Sequence, residues 1–492
     1  MGRRYRSRPG WRTVVLLLVA VSRAAVAAAD DVSWRDRLQL TASMRLRGEF
    51  ADWFTPPPGV APAGAQRYDF FGSQLRLGAR LTFAHAQFGI EVQDVRLANL
   101  PDDAVLPAPQ GALGPGGLYV LYTDDQSQGE TTLRQAHLTL RRAGASVTGG
   151  RFEYREGLET LPADPTLATV KRERIAERLL GPFGFSQVGR TFDGVKLAFD
   201  RAAWNLTAVG FRPTRGGFEV SANRDLEDVA VAGFTGTLTR LPGAPPIDAR
   251  LFYFYYDDQR RDTIKVDSRS LAARTADHNA VAIHSGGGHA MTAMRLGPGI
   301  VDGLLWGMVQ GGDYGELDHA AWAWAAEAGY QLPDVPTAPS LRVGMMRSSG
   351  DDSPADGDHG TFFQLLPTAR IYAQLPFYNM MNLEDVFTEL VLRPHSRVTI
   401  RTDWHWLRVT EPCDLWYSGS GAQNETVFGY AGSPTGGHRE LAHVVDVGVT
   451  VVPHDRVILG AYYGHAFGKG AIRTSFADAA ADYGFLEVTL RY

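Results

Sequence analysis

Leu38-Gln39-Leu40-Thr41-Ala42-Ser43-Met44-Arg45-Leu46-Arg47 alternates apolar and polar side chains without a break. Successive strand side chains point to opposite faces, so Leu38, Leu40, Ala42, Met44 and Leu46 share one face and Gln39, Thr41, Ser43, Arg45 and Arg47 the other. The pattern recurs along the chain. Leu75, Leu77, Ala79, Leu81 and Phe83 oppose Gln74, Arg76, Gly78, Arg80 and Thr82, and Val398, Ile400, Thr402, Trp404 and Trp406 oppose Thr399, Arg401, Asp403 and His405. Segments of about ten residues match a tilted membrane strand, whereas strands of soluble sandwiches run to about 5–6. An arginine facing lipid at the bilayer midplane costs about 2–4 kcal/mol, so mid-strand arginines must face an interior, and that interior must be wet.

Short and long links alternate between these segments, as they do in outer-membrane barrels. Eight short links are read near Ala84–Gln87, Arg142–Ala145, Asp200–Ala203, Leu241–Ile247, Gly297–Gly299, Leu332–Pro339, Pro394–Ser396 and Pro453–Asp455. Nine longer loops lie between them, including the Pro- and Gly-rich stretches Pro56–Gln66 and Leu100–Gln128. Seventeen links join eighteen strands. The expected fold is all-β: a single transmembrane antiparallel up-and-down β-barrel of the bacterial outer-membrane type, both termini periplasmic. Within 262–299, His278–His284 and His289–Leu296 compete to be the tenth strand. The final strand places Leu486, Val488, Leu490 and Tyr492 on one face, a pattern suited to the outer-membrane assembly machinery.

Residues 1–29 read as a secretory signal peptide: five arginines among the first twelve residues, an apolar stretch from Val14 to Val21, and small residues at Ala27 and Ala29. The barrel is expected over 30–492. The single cysteine, Cys413, excludes an intramolecular disulfide and a cysteine-based zinc site. A net charge of −5 argues against a nucleic-acid partner. Only Lys171, Lys196, Lys265 and Lys469 are lysines among 49 basic residues. Nucleophile elbows, zincin helices, phosphate loops and dinucleotide fingerprints are absent, so a channel rather than an enzyme is expected, with no cofactor. Asp351, Asp352, Asp356 and Asp358 are hard ligands, but their spacing is not that of an EF-hand and a solvated loop is the expectation. The charge-dense stretch Lys171–Leu180, with Ile175 and Leu179 at helical spacing, predicts a short amphipathic helix in a long loop, packed against the barrel mouth.

The remaining constellation is interior. Arg76, Arg80, Arg134, Arg151, Arg155, Arg190 and Arg401 lie on or at the ends of strands, with Asp193, Glu389 and Asp403 interleaved. Two readings stand together: ion pairs that fill a wide barrel, and an electropositive ring that draws anions into a confined channel.

The chain resembles the alginate export family of outer-membrane porins. The resemblance is clearest from Trp404 to Gly468, through Asp414-Leu415-Trp416-Tyr417, Phe428-Gly429-Tyr430 and Tyr463-Gly464-His465-Ala466-Phe467. Gln93-Asp94-Val95-Arg96, Gly150-Arg151, Phe192-Asp193-Gly194, Gly329-Tyr330, Ser349-Gly350-Asp351, Thr361-Phe362 and Leu366-Pro367-Thr368 extend it over most of the chain. It implies an 18-stranded barrel whose arginine-rich constriction passes a polyanionic polysaccharide, in the type case a polyuronate, outwards without consuming energy. It also places Arg151, Arg190 and Asp193 beside the pore. Glu411-Pro412-Cys413 departs from the family pattern, which puts the neighbouring loop in doubt. The expected partners are an anionic polysaccharide or small anions, outer-membrane lipid, the assembly machinery and periplasmic export proteins, with the barrel a monomer. A porin for small anions and a soluble carbohydrate-binding or carbohydrate-cleaving β-protein are the competing classes.

Overall fold

The computed structural model describes residues 33–492 apart from Asp124 and 369–373; the expected signal peptide lies outside the described residues. In chain order the strands of the first half are β1 (Leu38–Asp52), β2 (Arg67–Thr82), β3 (Ala86–Ala98), β4 (Gln128–Arg142), β5 (Ala145–Phe152), β6 (Phe192–Asp200), β7 (Trp204–Pro213), β8 (Val229–Leu238) and β9 (Ile247–Asp258). Then follow β10 (Val281–Leu296), β11 (Gly299–Tyr314), β12 (Leu317–Gln331), β13 (Ser340–Ser348), the two-residue β14 (Asp358–His359), β15 (Leu383–His395) and β16 (Val398–Val409). A loop hairpin, β17 (Leu415–Gly419) with β18 (Tyr430–Pro434), precedes β19 (Glu440–His454), β20 (Val457–Gly468) and β21 (Ala480–Arg491). One sheet of nineteen strands contains all but the hairpin. Setting aside β14, which only lies parallel against Asp318–His319, eighteen strands pair antiparallel with their neighbours, and β21 returns to pair with β1. The barrel is closed, so no strand edge is left to seek a partner.

The apolar sets read from the sequence face outward. Leu251, Val309 and Leu486 are 75%, 66% and 70% exposed, while charged side chains such as Arg250 and Asp248 on the inner face are buried. That inversion of a soluble fold suits a wall surrounded by hydrocarbon. All eight short links appear, and they lie at the same end as both termini. At the other end one of the nine links is a two-residue hairpin, Gly315–Glu316, made possible by Gly315 at φ +69°. The two contenders for the tenth strand belong to a single strand, β10, paired along its length with β11. Gly286–Gly288 carry no side chains, so the alternation vanishes from the sequence there while the ladder continues.

The other long links fold over the barrel into a cap with its own apolar core. Phe54 packs edge-on against Phe377 at 5.3 Å, Tyr119 against Phe218 at 4.9 Å, and Phe363 against Tyr430 at 5.5 Å between ring centroids. Buried Asp414 ties two loops of the cap together. It accepts from Thr361 Oγ1 at 2.6 Å, Tyr417 OH at 2.6 Å, and the backbone N–H groups of Asp351 at 3.0 Å and Leu415 at 2.7 Å.

Candidate functional site: the lumen

The link between β5 and β6 leaves and re-enters at the long-loop end, yet its middle runs down the inside of the barrel. Thr160–Asp164 and Leu167 share a cavity of about 460 Å³ with the short turns at Arg201–Ala202 and Thr239–Ile247. Thr166 Oγ1 accepts from Gln331 Nε2 at 2.9 Å, at the short-turn end of β12. There the chain reverses through a helix, Pro165–Val170, whose first turn is fixed by Asp164 accepting from the Leu167 N–H at 3.0 Å and by proline at its first position. A π-helical turn, Lys171–Ile175, follows.

Going back up, the segment meets the inner wall charge for charge. Lys171 pairs with Asp248 at 2.8 Å, and the Asp248 carboxylate also bonds His289 Nε2 at 2.6 Å. Arg174 pairs with Glu327 at 2.8 Å, which Arg342 also reaches at 3.5 Å while holding Asp302 at 2.5 Å. From the wall, Arg250 reaches Glu156 at 2.5 Å and Glu159 at 2.8 Å. Higher up, Arg45 donates to the Gly184 carbonyl at 2.9 Å and Gln93 to the Val188 carbonyl at 2.8 Å. The segment is thus moored to β1 and β3 as well as to β9 and β12. The helix expected over Lys171–Leu180 at the mouth is corrected in place and extent: helical structure runs Pro165–Ile175, inside the lumen. Its polar face is buried because each charge finds an opposite charge on the wall, a match that periodicity does not encode.

The nine site residues expected from the sequence divide into four groups. Arg76 and Arg80 project into the lumen from β2, on the inner register face with Gln74. Arg134, Arg155, Arg401 and Asp403 also face the interior but in pairs: Arg134 with Glu91 at 3.1 Å and with Glu153, Arg155 with Glu177 at 3.2 Å, and Arg401 with Glu389 at 2.6 Å and Asp403 at 2.8 Å. Arg134 occupies a β-bulge, where Glu91 pairs with Gln135 and Val92 with Leu133. Arg190 does not line a pore. It is buried under the cap, stacks on Phe183, and donates to the carbonyls of Ser420 at 2.9 Å and Ala422 at 3.1 Å. Arg151 and Asp193 face away from the lumen. Their register neighbours Phe152 and Phe192 are buried inside, and Asp193 alternates with the exposed Val195 and Leu197. The two close on each other as a bidentate pair, Nε at 2.7 Å and Nη2 at 2.5 Å, at the long-loop rim.

Three lumenal groups were missed although alternation points to them. Arg141 sits two residues from inward Thr139, Lys196 lies between outward Val195 and Leu197, and His137 continues the same face of β4. Arg80, Arg141 and Lys196 all lie within electrostatic reach of His137. Arg76 donates to Gln93 at 2.8 Å and Arg141 to Gln87 at 3.2 Å, and among the described residues none of Arg76, Arg80, Arg141 and Lys196 has a carboxylate partner. The inner wall from β2 to β6 therefore carries a strip of four cations outside any direct ion pair, with Glu91 and Glu153 the acids nearest in effect to Arg76 and Glu159 and Asp200 those nearest to Lys196. Elsewhere on the wall Asp403, Glu389 and Asp446 surround Arg401. Among the described residues no three His, Cys, Asp or Glu side chains are placed to hold a metal ion, and Asp351 accepts from Ser268 Oγ at 2.8 Å.

The profile of the alginate export family matches residues 36–483. No curated protein sequence matches the chain. Among solved structures, the outer membrane protein OpdK of Pseudomonas aeruginosa superposes with a TM-score of 0.53 at 10% identity, over 92% of this chain and 99% of that one. A BenF-like porin from Pseudomonas fluorescens Pf-5 gives 0.57 at 10% identity, over 94% and 100%. OccK2 of Pseudomonas aeruginosa, in complex with glucuronate, gives 0.54 at 12% identity, over 93% and 98%. At these identities the likeness is one of fold.

Proposed function

Because the chain belongs to the alginate export family and has the closed barrel of outer-membrane channels, we propose that it is a passive conduit for carboxylate-bearing carbohydrate, a uronate chain such as alginate being the solute favoured by its charge. The observation that carries this reading is the strip formed by Arg76, Arg80, Arg141 and Lys196, none of which is ion-paired to a carboxylate of the described residues. Cationic groups along a confined aqueous path raise the local anion concentration and exclude cations, whatever the net charge of the whole protein. In this reading the short-turn end with both termini is periplasmic, and a solute passes from there towards the cap.

Reversal potentials across a salt gradient in a planar bilayer test it. Anion preference is expected, weakening as salt rises because the Debye length is about 8 Å at physiological ionic strength. Changing Arg76, Arg80 and Lys196 together to glutamine should abolish most of that preference; a wild-type channel selective for cations would remove the basis of the proposal. A second reading, a porin for small anions, draws on the inserted segment, which occupies lumen that a polymer would need. Liposome flux separates the two: polymer export requires passage of long uronate chains as well as of monomers.

A further inference from the structure

The lipid-facing wall is indented where the chain closes on itself. A groove of about 510 Å³ crosses the seam between β1 and β21, with Leu46 and Phe71 on one side, Val449 and Leu459 on the other, and Leu486 and Val488 between them. No atom lies within 4 Å of where a Cβ on Gly48 would stand, so this residue leaves open space in the groove. The outward row Leu486, Val488 and Leu490 continues past β21 to Tyr492 at the short-turn end, where the guanidinium of Arg456 lies over the Tyr492 ring at 5.2 Å. Arg456 precedes Leu459 of the groove by three residues. From the neighbouring turn Arg397 donates to the Pro453 carbonyl at 2.6 Å. Among the described residues neither arginine is ion-paired, although Asp455 adjoins Arg456. The long-loop rim differs: there outward Arg67 is paired with Asp52 at 2.9 Å and outward Arg96 with Asp94 at 2.7 Å. Those arginines are neutralised by the chain itself, whereas the two at the foot of the groove are left to a counter-charge from outside it.

We propose that the groove and the two arginines form a site for one anionic phospholipid of the leaflet at the short-turn end, an acyl chain lying against Leu459, Leu486 and Val488 and the headgroup phosphate meeting Arg456 and Arg397. The assignment rests on the reading that this end is periplasmic, and not on which solute the channel carries. A wall already in lipid gains no hydrophobic stabilisation from further hydrocarbon, so the groove contributes shape and close packing. Selectivity comes from the guanidinium groups, whose planar donors match a phosphate, while a zwitterionic headgroup brings its own cation against them. Tyr492 sets an aromatic ring at the depth of the headgroups. The lipid straddles the first and last strands, and because it binds only the closed barrel it stabilises that closure.

Native mass spectrometry of the barrel in a neutral detergent, titrated with phosphatidylglycerol or with phosphatidylcholine of the same acyl chains, counts the lipids retained. One phosphatidylglycerol should be held at a concentration severalfold below that needed for phosphatidylcholine. Arg456→Gln with Arg397→Gln should remove that preference, and Gly48→Phe, whose side chain starts in open space within the groove, should weaken retention of both lipids. Arg201→Gln serves as the control, since that arginine stacks on Phe199 at 3.9 Å at another turn of the same rim and should change nothing. All four positions are exposed, and fast migration of the unheated variants verifies that each barrel has closed. Equal retention of the two lipids by the unaltered protein overturns the site. So does an equal loss in Arg201→Gln, which would reduce the rim to a diffuse field of charge, and so does a dimer that Gly48→Phe abolishes, which would give the groove to a second copy. Labelling of Asp334→Cys in a Cys413→Ser background by an impermeant thiol reagent on intact cells reports separately on orientation: Asp334 lies exposed in a short turn, so labelling would place this rim outside the cell and remove the leaflet assignment, whereas a lost lipid preference without labelling removes only the site.

Discussion

Glu327 is buried with Arg174 at 2.8 Å and Arg342 at 3.5 Å. Deleting its charge would remove the carboxylate shared by Arg174, Arg178 and Arg342, of which Arg342 keeps Asp302, so Glu327→Ala should destabilise the protein by about 3–5 kcal/mol. The measurement is the temperature at which the unheated gel species converts to the heated one, which should fall clearly, with a smaller drop for Glu327→Gln. Asp414 behaves differently because it stands in the cap, and among the described residues its partners are hydrogen-bond donors and not cations. Burial raises its carboxyl to about 6, while the hydrogen bonds from Thr361 and Tyr417 work the other way. A folded-state value above the ordinary carboxylate range means the folded loops hold the proton more tightly than the unfolded chain does. The stabilisation is fully present below about pH 4 and is lost as pH rises through about 6, a span worth about 3 kcal/mol. Hydrogen exchange of residues 349–361 and 410–417 should therefore be slower at pH 4.5 than at pH 7.5, and Asp414→Asn should flatten that difference. Equal exchange at both values in the wild type would show that solvent reaches Asp414.

The inserted limb is the element that distinguishes this barrel from an open pipe. None of the ladder pairings that close the eighteen strands involves residues 153–191, so the wall does not need the limb for its backbone hydrogen bonds. Replacing residues 159–176 by a short Gly-Ser link should leave a barrel that still migrates fast when unheated, with single-channel conductance raised severalfold. Unchanged conductance would mean that the current runs elsewhere than beside the limb. Amphipathic spacing located this helix to within a few residues but assigned it to the mouth. Its partners are not neighbours on the helix but wall residues far along the chain.

At the scale of the whole molecule, closure is the source of resistance to detergent. Ten residue pairs, from Ser43 with Arg491 to Asp52 with Asp482, join the first and last strands. Unheated protein should run ahead of boiled protein on a denaturing gel; identical migration would contradict a closed ladder. Tyr492 tests a separate matter. Its side chain is 76% exposed, although its N–H bonds the Ala42 carbonyl at 2.8 Å. Tyr492→Ser should thus leave the conversion temperature of refolded protein nearly unchanged while lowering the amount that reaches the outer membrane. An equal loss of both would assign the residue to stability rather than to assembly.

Strand number, the inner and outer faces, and the end that holds the termini were legible in the sequence, because alternation and turn composition are local properties of the backbone. The outward position of Asp193 was legible too, from Val195 and Leu197 on either side of it, and family likeness pointed the other way. Alternation also marks Arg76, Arg80, Arg141 and Lys196 as interior, but it says nothing about partners. Whether a lumenal arginine is free or spent in a pair was decided only by tertiary structure. Lys171 meets Asp248 across 77 residues and Arg174 meets Glu327 across 153. The course of the β5–β6 limb is fixed by such pairs, and a buried charge is tolerable only where folding brings its opposite within reach.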